Sequence, residues 1–158
     1  MISFFCILFL LASCSNDNNA GSKQSNPESI LPPTVESPVQ FSLIAKGDHF
    51  NGNYKNTKVN LVIKDEVAWN NLKSAMTTYS LSTFTETSID FTKYQIIAVF
   101  DQIRMSGGHT IDITSITEDK KTTTVKVENI KAGDLTSVVT QPFHIVKINK
   151  TEKNIDFK

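Results

Sequence analysis

Tyr94-Gln95-Ile96-Ile97-Ala98-Val99-Phe100 is the stretch that decides the fold. From Ile96 to Phe100 it is unbroken and apolar. A run this short reads as a strand, and one without alternation has two apolar faces. Such a strand belongs in the middle of a sheet covered on both sides. Downstream, Thr110 to Thr117 alternates, with Ile111, Ile113 and Ser115 opposite Asp112 and Thr114. That pattern predicts a half-buried strand and places Asp112 on the solvated face. Glu118-Asp119-Lys120-Lys121 is a charged turn, and Thr122 to Ile130 alternates again, so the two strands should form a hairpin. Phe143 to Ile148 is a further strand opened by Pro142, and Ile155-Asp156-Phe157 is a short edge strand.

Upstream, Val39–Lys46 and Lys58–Lys64 alternate on either side of a turn-rich loop that begins at Gly47. They are expected to pair as a hairpin with a long connection. One helix is expected over about 65–77. Asp65 can cap it, and Ala68, Leu72, Ala75 and Met76 recur at helical spacing, with Trp69 as helix-to-sheet core. Residues 79–93 read as irregular, anchored by Leu81, Phe84, Ile89 and Phe91. Seventeen threonines suit strands better than helices. The expected fold class is mainly β (α+β): an antiparallel sandwich or roll of about six or seven strands, with the helix packed on the sheet. This domain spans 39–158.

The rest of the chain is different in kind. Residues 1–13 hold 11 of the apolar set, 14–38 hold 5 in 25, and 39–158 hold 46 in 120. Phe4 to Leu11 is too short for a helical membrane span and has the length of a signal-peptide apolar region. Leu11-Ala12-Ser13-Cys14 follows and looks like a bacterial lipobox. The sequence therefore predicts a lipoprotein signal over 1–13 and a lipidated Cys14. The segment 14–38, rich in Asn, Ser and Pro, cannot bury enough apolar surface to order itself and is read as a tether. Cys6 would leave with the signal, so the mature domain has no thiol and no disulfide. The expected location is the bacterial cell envelope, at the outer membrane, facing periplasm or cell surface.

Charge narrows the partners. Lys+Arg and Asp+Glu both number 16, which removes the excess cation that nucleic-acid binding needs. Arg104 is the single arginine, which excludes a clamp built from several guanidinium forks. His49, His109 and His144 have no metal-ligand spacing, and neither metal nor cofactor is expected. Asp90, Asp101 and Asp112 are available acids, but nothing in the sequence pairs them. Ser106-Gly107-Gly108-His109 puts a hydroxyl near an imidazole without the strained elbow that presents a nucleophile. Two glycines favour a tight, backbone-defined loop instead, suited to meeting a partner. No catalytic residue is assigned.

Taken together, several pieces resemble the C-terminal domain of the PrcB family, named for a protease-complex subunit. They are Ile44-x-Lys46-Gly47 with Gly52, Val62-Ile63 leading to Trp69-x-x-Leu72, and Ile89-Asp90-Phe91-Thr92-Lys93. Ser106-Gly107-Gly108-His109-Thr110-Ile111-x-Ile113 and Pro142-Phe143-x-Ile145-Val146-Lys147-Ile148 complete the order. Coverage is about residues 41–150. The family more often has Thr-Gly-Gly-Tyr at 106–109, so a tyrosine contact is lost here while the glycine pair stays. The resemblance implies a non-catalytic, lipid-anchored accessory module that binds an envelope protein, with a protease as one such partner. The alternatives are a protease-inhibitor-like domain inserting the Ser106–His109 loop, and a hydrolase using Ser106, His109 and an acid.

Overall fold

The computed structural model describes residues 35–50 and 56–158. The signal, Cys14, most of the tether and Gly52 lie outside the described residues. Eight strands and two short helices form: β1 (Ser37–Pro38), β2 (Phe41–Gly47), β3 (Val59–Ile63), α1 (Glu66–Ser74), α2 (Thr78–Leu81), β4 (Tyr94–Phe100), β5 (Asp112–Glu118), β6 (Thr122–Glu128), β7 (Phe143–Asn149) and β8 (Asn154–Phe157). They make two four-stranded sheets, β1-β5-β6-β8 and β2-β7-β4-β3. Every pairing is antiparallel except β6 with β8.

β4 lies between β7 and β3, as its continuous apolar run requires. Its two faces enter different cores. Ile97 and Val99 meet Ile113, Ile116 and Val125 between the sheets. Ile96, Ala98 and Phe100 meet Trp69, Leu72 and Met76 under the helical layer. All residues from Gln95 to Phe100 are buried. Truncating a core isoleucine such as Ile97 to alanine should cost about 2–5 kcal/mol.

α1 begins where expected. The Asp65 side chain accepts from the Ala68 amide at 2.8 Å, Glu66 lies in the first turn and Lys73 in the last. Trp69 is buried, and its indole N–H donates to the Thr87 carbonyl at 2.9 Å. The helix ends at Ser74 rather than near 77. The Thr77 hydroxyl accepts from the Ser80 amide at 3.1 Å and starts a second helix, α2, inside the stretch read as irregular.

The expected β2–β3 hairpin does not form. β2 pairs with β7 and β3 with β4, at opposite edges of one sheet. The connection from 48 to 58 is long enough to cross three strand spacings of about 4.8 Å. β4 and β7 are buried along most of their length and take the interior places. Asp112 also departs from its expected solvated position. Ile111, Asp112 and Ile113 are all buried, so both faces of the strand are covered at its start. The Asp112 carboxylate is paired with the Lys46 ammonium, which joins the two sheets. At the other end, ordered pairing starts two residues before Val39, with Ser37 opposite Glu118 and Pro38 opposite Thr117.

Candidate functional site: a loop pair at one end of the sandwich

Strand register brings several loops to one end. Val59 is opposite Phe100, Phe100 opposite Phe143, Phe143 opposite Gly47, and Asp112 opposite Glu128. The segments 101–111 and 129–142 therefore meet there. Asp101 ties them. It is fully buried, and its Oδ2 accepts from Arg104 Nε and from Asn129 Nδ2, each at 2.9 Å. Asn129 Nδ2 also reaches the Thr110 carbonyl at 2.7 Å. Arg104 and Thr140 exchange both backbone hydrogen bonds, at 2.8 and 2.9 Å. The Thr140 hydroxyl donates to the Ser106 carbonyl at 2.9 Å.

The Ser106–His109 loop lies within this network. Gly107 is buried and Ser106, Gly108 and His109 are half-buried. Gly107 N–H donates to the Thr136 hydroxyl at 3.2 Å, and Asp134 N–H donates to the Gly107 carbonyl at 2.9 Å. Gly108 has φ +71°, and a Cβ there would come within 2.8 Å of the Asp134 carboxylate. The His109 ring packs against Gly133, whose φ is +100°. Both glycines are in the left-handed region that side chains rarely adopt. The loop is thus bound to its neighbour through Gly107, Gly108 and His109.

Ser106 Oγ and His109 Nε2 are 2.9 Å apart, so hydroxyl and imidazole do meet. No described carboxylate hydrogen-bonds the ring. The Asp134 carboxyl is held below its ordinary range mainly by the Thr136 hydroxyl, then by the Thr136 amide. This is two parts of a Ser-His-acid set without the group that orients the base. The other histidines lie elsewhere. His49 bonds Asp48 and packs edge-on to Tyr79, with ring centres 5.8 Å apart. His144 sits within β7, where its Nδ1 accepts from the Ile113 amide at 3.0 Å. Among the described residues no three His, Cys, Asp or Glu side chains are grouped to hold a metal ion.

What the loop end does present is apolar surface. Met105 is 76% exposed and Leu135 fully exposed; Val138, Val139, Ile103 and Tyr79 are also exposed. Beside them is a cleft of about 410 Å³, lined by His49, Phe50, Tyr79, Ile103, Val139 and Gln141. Sequence reasoning missed Leu135, Val138 and Val139. Their signal was the presence of large apolar residues in a stretch with no period that could bury them.

Both loops are tied by hydrogen bonds at one end of the sandwich and present apolar side chains there. Residues 96–149 match the family model described as PrcB C-terminal. The match runs from β4 to β7 and contains both loops. No curated protein and no solved structure matches the chain.

Proposed function

We propose that this chain is a non-catalytic accessory subunit of an envelope protease complex, lipid-anchored through Cys14, which contacts its partner with the loop end of the sandwich. The family match supports association with a protease complex. The observation that carries the contact surface is the exposure of Met105, Leu135 and Val139 on loops locked by the Asp101 network, all inside the matched stretch. Ordered loops lose little freedom on binding, which favours affinity. The leader and lipobox support anchoring in the cell envelope.

Two measurements test this reading. Cys14→Ala should move the protein from the membrane fraction to the soluble fraction, and retention in the membrane would remove the lipid anchor from the account. Met105→Asp with Leu135→Asp should abolish co-purification of the partner from detergent extracts while leaving the fold intact. The hydrolase reading is favoured by the Ser106–His109 hydrogen bond alone. Labelling of Ser106 by a fluorophosphonate probe would revive it.

A further inference from the structure

We propose that the outer edge of β3 is an acceptor for an extended peptide strand of a partner protein, one that carries acidic residues at its ends. This is a different surface from the loop end.

Each sheet has two edges, and an edge strand leaves half of its backbone donors and acceptors unpaired. Three of the four edges are blunted. On β2, Thr85 N–H donates to the Ile44 carbonyl at 2.8 Å, the Thr85 hydroxyl to the Leu43 carbonyl at 2.8 Å, and the strand is bulged between Leu43 and Ala45. β1 is two residues long and one is Pro38. β8 has four residues, with Asp156 paired to Lys158. β3 has none of these devices. Val59-Asn60-Leu61-Val62-Ile63 contains no proline, glycine or charge, and pairs with β4 without a bulge. Among the described residues no hydrogen bond reaches its outer edge. Its side chains are also receptive on both faces. Val59 and Leu61 pack toward the helical layer and Val62 toward the space between the sheets. Main-chain pairing with alternate side chains in flanking pockets is a common mode of peptide capture.

Charge selects the occupant. Lys58 and Lys64 bracket the strand. An antiparallel pair of two copies centred on Leu61 would set Lys58 against Lys64 twice, and a parallel in-register pair would oppose identical lysines. Like charges directly opposite are destabilising, so a second copy is disfavoured. An incoming strand with acids at its ends turns both positions into opposite-charge pairs. Lys58 already lies 4.0 Å from Asp101 and bonds Asn129, which leaves Lys64 as the main contributor.

The test uses two synthetic probes, acetyl-Asp-Val-Thr-Val-Thr-Val-Asp-amide and its twin with lysine ends, added to the isotope-labelled chain. The acidic probe should bind about tenfold or more tightly than its twin at low salt, and should slow amide exchange within 59–63. Lys64→Glu, at an exposed position, should remove the preference. Val62→Pro should abolish both effects, and its fold is checked by circular dichroism. Equal binding of the two probes, protection confined to other strands, or a dimer in sedimentation with β3 protected would each overturn the proposal.

Discussion

Arg104 Nε donates to Asp101 Oδ2 at 2.9 Å, and that carboxylate has no solvent exposure. The single arginine of the chain thus spends its fork on structure. The pair, with Asn129, joins the loop after β4 to the loop after β6. Asp101→Ala should lower stability by about 3 kcal/mol, because it strands a partly buried guanidinium and an amide. Urea unfolding of the variant beside the parent checks this.

His144 gives a pH signature. Burial, then the nearby Lys46 charge, lowers its pKa from 6.5 to about 4, while Asp112 acts the other way. Its Nδ1 accepts from a backbone amide, so the ring is neutral with the proton on Nε2. Below pH 6.5 the unfolded chain takes up this proton and the folded chain does not. Stability from this group is therefore complete above pH 6.5 and declines as pH falls toward 4, by about 2–3 kcal/mol. Burial raises the Asp112 pKa, but the Lys46 and Thr110 hydrogen bonds outweigh it and hold the group below 3.8, so its own loss begins at lower pH. His144→Gln should flatten the urea midpoint between pH 6.5 and 4 while the steeper fall at lower pH persists.

Gly133→Ala should be costly although residue 133 is exposed. It would force a side chain into φ +100° and drive the His109 ring aside. The expected loss is about 1–3 kcal/mol. Loss of the Ser106–His109 hydrogen bond, read from the imidazole nitrogen shifts, should accompany it. Gly108→Ala should behave alike through Asp134.

Met105→Asp and Leu135→Asp should leave thermal stability within about 0.5 kcal/mol, since neither side chain is buried. Their effect belongs in partner affinity, where loss of a central apolar anchor weakens binding by about 2 kcal/mol or more. A matched loss of stability would mean that these side chains serve the fold.

The sequence was most legible where one local rule had one outcome. The run from Ile96 to Phe100 pointed to a central strand, Asp65 to a helix start, and the pattern around Glu118–Lys121 to a hairpin, and each formed. Legibility failed where the outcome was set by distant partners. Whether β2 joined β3 depended on β4 and β7 competing for the interior. The burial of Asp112 depended on the other sheet and on Lys46, 66 positions away. The candidate site was half visible. Ser106–His109 marked the loop, but its backbone contacts turn toward residues 132–140, which carry no periodic signal. Leu135, Val138 and Val139 of the exposed face came from those residues.

The loop end is proposed to hold a protease-complex partner. Site-specific photo-crosslinking in intact cells tests it most directly, with a benzophenone amino acid at Met105 and, separately, at Lys121 in the turn at the opposite end. The account predicts a discrete adduct from position 105 that contains a protease or a protein bound to one, and none from 121. An adduct only from 121, or no adduct at 105 in cells where the protein is correctly folded and membrane-bound, would contradict it.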